Sequence, residues 1–298
     1  MCEFCTKHGE GKKWYLEMKN YADEMLHAEL AESQKDTIRA KTRTEWLERF
    51  YEYVWMPPIA GLRKPLEEVL YNINPSPELP DVQATLEQIM EGRKATHFAQ
   101  VIPIEDVEKI LDMVDSITRL PCGCRYFTTG KADRRYCFGL GKHTKGFLRG
   151  YPDAAASLEV IDKEEAKRVI REFDQEGMIH TVWTGVTPYI FAICNCDAGC
   201  LPYKNYIEER GSPTFFRAEY AAQINAEACN GCRDCLRQCQ FGALFHSNAI
   251  GKVYVDPTRC FGCGLCRAAC SPDAIKLGPR SEEPKAADVW LRFPEPVA

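Results

Sequence analysis

Two stretches decide how this chain reads: CNGCRDCLRQC, residues 229–239, and CFGCGLCRAAC, residues 260–270. Each spaces its cysteines by two, two and three intervening residues, and the second copy follows the first at an offset of 31 residues. The flanks repeat as well: Gly231 matches Gly262, Ala243 matches Ala274, and Leu244 matches Ile275. Lys252–Asp256 (KVYVD) reads as a strand leading into the second copy. Eight of the 16 cysteines fall in these two stretches; six more lie between Cys122 and Cys200, and two at Cys2 and Cys5. At about 5% of 298 residues, cysteine is below the ~8–10% of a small disulfide scaffold. With no secretory start and no run of ~18 apolar residues, the chain is expected to be cytoplasmic and without a membrane span. Thiols there stay reduced, so metal explains the cysteines better than disulfides do.

The double order of eight cysteines resembles the bacterial dicluster ferredoxin module. The resemblance implies two [4Fe–4S] clusters with exchanged ligands. Cys229, Cys232, Cys235 and Cys270 would hold one, and Cys260, Cys263, Cys266 and Cys239 the other. Three thiolates on one tight loop wrap three irons of a cube, while the fourth cysteine, expected to open a helix pointing away, reaches the other cube. Backbone N–H groups of small residues approach the sulfurs and act on reduction potential. The proline usual after the fourth cysteine is replaced by Gln240 and Ser271, with Pro272 one position later. That departure bears on the local turn and on the potentials, not on ligation. A zinc site built from CxxC pairs is the alternative, and the double order argues against it.

Pro121-Cys122-Gly123-Cys124-Arg125, then Cys137, then Cys194-Asn195-Cys196 and Cys200 form a second set. The order of a PCxCR motif, a helix and an ICNC motif resembles a broader group of ferredoxin-type iron–sulfur proteins of anaerobic bacteria, over roughly Val101–Leu277. It implies cluster binding and electron transfer without naming a substrate. Three readings stay open for Cys122, Cys124, Cys194, Cys196 and Cys200: a third [4Fe–4S] cluster, a zinc or other structural metal site, or buried inert or redox-active thiols. Cys2, Cys5 and His8 make a further half-site, which Cys137 or a partner chain would complete; the alternative is a reduced, loosely ordered terminus.

The fold class expected is α+β. Residues 1–100 form a helical N-terminal region, 101–215 a cysteine-containing α/β middle domain, 216–280 the dicluster ferredoxin domain, and 281–298 an extended tail. Trp14, Met18, Tyr21 and Met25 recur at helical spacing, and a second helix is expected over Arg43–Met56, stopped by Pro57-Pro58. Ile104–Thr118 reads as an amphipathic helix. Asp162–Glu176 reads as another, with a capping box and Gly177 as its stop. Two β-rich runs, Met178–Thr184 and Tyr189–Cys194, form a plausible hairpin after it. Trp290, Leu291 and Phe293 are candidates to anchor the tail.

A net charge of −5 argues against nucleic acid as partner. Basic residues cluster over Arg125–Arg149, either as a solvated loop or as a patch that covers a metal site or docks an acidic redox partner. The reading reached is an electron-transfer protein or subunit, passing single low-potential electrons to or from a redox protein or larger oxidoreductase. Two alternatives stand beside it: a catalytic reductase whose middle-domain thiol site is fed by the ferredoxin domain, and an iron–sulfur DNA-binding regulator using the helix–hairpin as a winged reader.

Overall fold

A computed structural model describes residues 13–21, 99–120, 122–129, 134–141, 158–186, 189–203 and 214–291. The helix expected over Arg43–Met56, the Cys2/Cys5/His8 set and Phe293 lie outside them.

The spacing of Trp14, Met18 and Tyr21 predicts an α-helix. The chain instead makes two 3₁₀ turns, Trp14–Leu16 and Met18–Tyr21, separated by Glu17 in an extended conformation. The cause is tertiary. Trp14 Nε1 donates to Gln100 Oε1 at 2.7 Å, and Tyr15 Oη donates to Asp106 Oδ2 at 2.9 Å. Both adjacent rings are drawn inward, whereas α-helical neighbours diverge by about 100°.

Six strands form one antiparallel sheet in the order β1-β5-β6-β3-β2-β4. They are β1 (Ala99–Val101), β2 (Ile117–Leu120), β3 (Cys137–Leu140), β4 (Glu159–Ile161), β5 (Ile179–Val186) and β6 (Tyr189–Cys196). Helix α1 (Ile104–Met113) joins β1 to β2, and α3 (Lys163–Gln175) joins β4 to β5. The pairing makes β1 parallel to β2 and β4 parallel to β5. Each helix therefore crosses the sheet, and the two pack against each other. Between them, α2 (Gly123–Thr129) follows β2. The single turn α4 (Leu201–Tyr203) follows β6.

The α1 periodicity predicts a helix to Thr118, but the helix stops at Met113. Val114 is extended, and Ile117 pairs with Leu140 on one side and Ile161 on the other. The β-branched Ile117 and Thr118 fit a buried strand as well as a helix face, and two waiting strands decide it. Helix α3 starts as its capping box predicts, with Asp162 Oδ1 accepting from Glu165 N at 2.8 Å. Gly177 follows it at φ +83°, the left-handed position that ends many helices. The β5–β6 hairpin is present, but both of its strands lie in the sheet interior, paired on their outer sides to β1 and β3. It is not a free-standing wing, which corrects the winged-reader expectation.

The fully buried Asp106 ties three elements together. Its Oδ2 accepts from Tyr15 and, at 2.8 Å, from Tyr220; its Oδ1 pairs with Lys109 at 3.0 Å. Asp106→Ala leaves two hydroxyls without their acceptor, so a loss of about 3 kcal/mol is expected in denaturant unfolding of the anaerobic protein. A loss below about 0.5 kcal/mol, the usual scatter of surface changes, would contradict this.

Residues 214–219 run beside β1, with Val101 N donating to Phe216 O at 2.9 Å and Phe216 N to Ala99 O at 2.7 Å. The tail returns to the body as expected for two of its anchors: Trp290 and Leu291 are buried, and Arg217 N donates to Trp290 O at 2.9 Å. Among the described residues, no helix is long and apolar enough to cross a membrane.

Candidate functional site

Four short strands frame the two cysteine loops: β7 (Tyr220–Ile224), β8 (Leu244–Ser247), β9 (Lys252–Val255) and β10 (Ile275–Pro279). Strand β7 pairs with β10, and β8 with β9. The offset of 31 residues carries β8 onto β10, and Leu244 faces Val255 as Ile275 faces Ile224. The two copies are therefore interleaved about a pseudo-twofold axis.

The backbone repeats with the same offset. Positive φ recurs at Gly231 and Gly262, at Arg233 and Gly264, and at Gly242 and Asp273. Ala243 N donates to Cys239 Sγ at 3.3 Å, and Ala274 N to Cys270 Sγ at 3.2 Å. Helices α5 (Asp234–Gln238) and α6 (Leu265–Ala268) carry Cys235 and Cys266. The fourth cysteines were expected to open helices; instead each lies just past the end of one. The helix still carries the fourth sulfur away from its own loop.

That displacement brings the copies' sulfurs together crosswise. Cys235 is raised to about 11 by burial, then by the charge of Cys270, ahead of its own neighbours Cys232 and Cys229. Cys266 is pushed up to about 12 by burial, with Cys260 and then Cys239 next. Cys263 is raised by burial, with Cys239 again among its neighbours. Crowded, buried thiols resist ionisation until a cation joins them, which is the environment of a metal ligand set. The N–H donors aimed at sulfur also suit a cluster carrying negative charge.

Six further thiols meet at one end of the six-stranded sheet. Cys137 opens β3 directly opposite Cys194 on β6, and Cys196 follows on the same face. Cys122 comes just after β2, Cys124 lies in α2, and Cys200 precedes α4. Helices α2 and α4 touch, which closes the ring. Cys137 neighbours Cys122 and Cys194; its contact and burial raise the Cys122 thiol, while Cys137 is raised, against its contact with Cys122, by Cys194 and burial. Cys124 and Cys196 both neighbour Cys200, whose Sγ lies 3.2 Å from Cys196 Sγ. Cys200 is held well below the usual thiol range by those two thiols, helped by the Arg125 charge and the Tyr203 N–H. Cys194 accepts from Cys137, yet burial and its other neighbours push it up to about 11. Arg125 N donates to Cys122 Sγ at 3.4 Å, and its guanidinium pairs with Asp197 at 2.8 Å. Of the basic stretch, Arg125 thus covers the thiols, while Arg134 pairs with Glu176 at 2.7 Å.

Sequence reasoning places Cys137 in this second set but draws the candidate ligands from the other five, with Cys137 as a candidate to complete the N-terminal half-site. The structure brings Cys137 to the five. Its signal is a cross-strand pairing over 57 residues of chain, which spacing does not reveal. All 14 described cysteines are free of disulfides. Among the described residues, no group of three or more His, Cys, Asp or Glu side chains is gathered around the point a single ion would take. That holds for both described cysteine sets.

Interleaved cysteine loops in this frame define a ferredoxin-type dicluster domain. Residues 228–274 match the family described as "4Fe-4S dicluster domain". Curated relatives match over short stretches. The archaeal-type glutamate synthase [NADPH] of Thermotoga maritima is 35% identical over 59 residues, 20% of this chain and 12% of that protein. The indolepyruvate oxidoreductase subunit IorA of Pyrococcus abyssi is 35% identical over 54 residues, 18% of this chain and 8% of that one. The archaeal glutamate synthase [NADPH] of Archaeoglobus fulgidus is 27% identical over 79 residues, 26% of this chain and 16% of its own length. The chain thus spans a small part of the length of each of these relatives. No solved structure matches it.

Proposed function

We propose that this protein relays single electrons between a redox partner and a larger oxidoreductase, through two [4Fe–4S] clusters in residues 216–280. Cys229, Cys232, Cys235 and Cys270 hold the first, and Cys260, Cys263, Cys266 and Cys239 the second. The observation that carries the reading is the crosswise neighbourhood of Cys270 with Cys235 and of Cys239 with Cys263 and Cys266. Bound there, such clusters supply reversible one-electron storage, tunable over roughly −700 to +450 mV. The chain's own groups do the rest. Cysteine sulfurs fix the positions, and the N–H groups of Ala222, Ala243 and Ala274 direct positive dipoles at Cys260, Cys239 and Cys270.

Cys232 is the exposed member of the set, so exchange with a partner takes place at the first cluster's side. The six middle thiols form a further metal centre, for which thiol chemistry admits iron–sulfur or zinc. Anaerobically purified protein is expected to hold at least about eight irons and eight sulfides per chain. Its visible absorption should bleach on reduction and return with a one-electron acceptor. Iron without matching sulfide, or a spectrum indifferent to reductant, would overturn the proposal.

A further inference from the structure

The second cysteine loop and the six-thiol ring are joined by a short bridge of side chains. Tyr203 lies three residues past Cys200, in α4, and is buried in the same core. At its other end, Tyr203 Oη donates to Gln240 O at 2.7 Å, the peptide next to Cys239. The Tyr203 ring meets Phe241 at 6.2 Å, and Phe241 stacks on Phe261 at 4.0 Å, next to Cys260. Gln240 Nε2 also donates to Gly177 O. Phe261, Tyr203, Cys196, Cys200 and Cys122 all belong to one buried core, with Phe241 and Cys263 packed on it. Each side of this bridge carries sulfur, and its residues are buried or half-buried.

From this we infer that the six-thiol ring of Cys122, Cys124, Cys137, Cys194, Cys196 and Cys200 holds a third iron–sulfur cluster, whose electron partner is the Cys239/Cys260/Cys263/Cys266 cluster. The inference rests on the electron-relay reading above and deepens it. The three centres then form a chain of neighbours whose exposed member, Cys232, lies at the first cluster. The spread of the thiols favours iron–sulfur over zinc: among the described residues the six sulfurs are not gathered on a single-ion point, whereas a cluster takes its four ligands spread around several metal atoms. In the exchange, one electron leaves the reduced second cluster and enters the third. No bond to carbon forms or breaks, no proton is required, and the external donor to the first cluster restores the electron.

The test starts from the unaltered full-length protein, prepared without oxygen. About twelve irons and twelve sulfides per chain with no stoichiometric zinc are expected. About eight of each, with or without one zinc, would overturn this inference and leave the dicluster reading standing; fewer than about eight would sink both. The variant arm is Cys200→Ala. It should lose about four irons and one reduced-state EPR signal while two signals remain. Of those two, the one lost in Cys263→Ala should sharpen, because its neighbour on the Tyr203 side is gone. If Cys200→Ala leaves iron content unchanged, or sharpens only the signal lost in Cys232→Ala, the inference fails. Should either variant not fold, the iron, sulfide and zinc counts of the unaltered protein still decide it.

Discussion

Gly262→Ala is expected to destroy the dicluster domain, while Gly251→Ala is expected to be mild. Both glycines have positive φ, +71° and +62°. That shared backbone cost is about 1–2 kcal/mol for a residue with a Cβ. Their surroundings differ. A Cβ on Gly262 would lie 2.9 Å from the Tyr220 carbonyl carbon, 3.0 Å from Ala218 Cβ, and closer still to Tyr220 O. That carbonyl cannot retreat, because Tyr220 is paired to Pro279 in the β7–β10 ladder and its oxygen accepts from Arg280 Nη2 at 2.8 Å. Gly251 has nothing within 4 Å of its added Cβ. Gly262→Ala should therefore cost more than about 4 kcal/mol and abolish retention of at least one cluster. Gly251→Ala should keep its iron and lose about 1 kcal/mol. Equal iron content and equal denaturation midpoints in the two variants would contradict the close approach.

The second large effect concerns ligand exchange between the copies. Cys270→Ala should release about four irons, and adding Cys229→Ala should release no more, because both cysteines belong to one cluster. Combining Cys270→Ala with Cys260→Ala should instead release about eight. Iron and sulfide measured on these two double variants separate the arrangements. If each loop kept its own fourth cysteine, the two results would be reversed. The basis is the helix geometry: α5 ends at Gln238 and α6 at Ala268, so Cys239 and Cys270 lie past the helices that carry Cys235 and Cys266.

The dicluster domain was legible because its chemistry is local. Ligand spacing, the offset of the copies and the matching Gly231/Gly262 and Ala243/Ala274 pairs are all short-range features, and the strands, N–H donors and positive φ values follow them. Helix α3 was legible for the same reason: Asp162, Glu165 and Gly177 are its own start and stop signals. What failed depended on distant partners. Trp14 and Met18 keep helical spacing, but Gln100 and Asp106 draw Trp14 and Tyr15 inward and shorten the segment to turns. Ile117 and Thr118 continue the pattern of α1, yet β3 and β4 take them into the sheet. The β5–β6 hairpin was visible, but its place between β1 and β3 was not. The same applies to the place of Cys137 among the ring's ligands, which strand pairing with Cys194 sets. The bridge from Cys200 through Tyr203 to Gln240 joins segments whose motifs carry no mark of each other.

The central claim is that the eight cysteines of residues 229–270 hold two electron-carrying clusters in contact with each other. The most direct measurement is an EPR-monitored redox titration of the anaerobic full-length protein, beside Cys232→Ala and Cys263→Ala. The unaltered protein should show at least two [4Fe–4S] signals, each appearing with one electron, whose lines broaden when both are reduced. Each variant should lose a different one, and with it the broadening between those two. A protein without reducible iron–sulfur signals, or two variants that lose the same signal, would contradict the account.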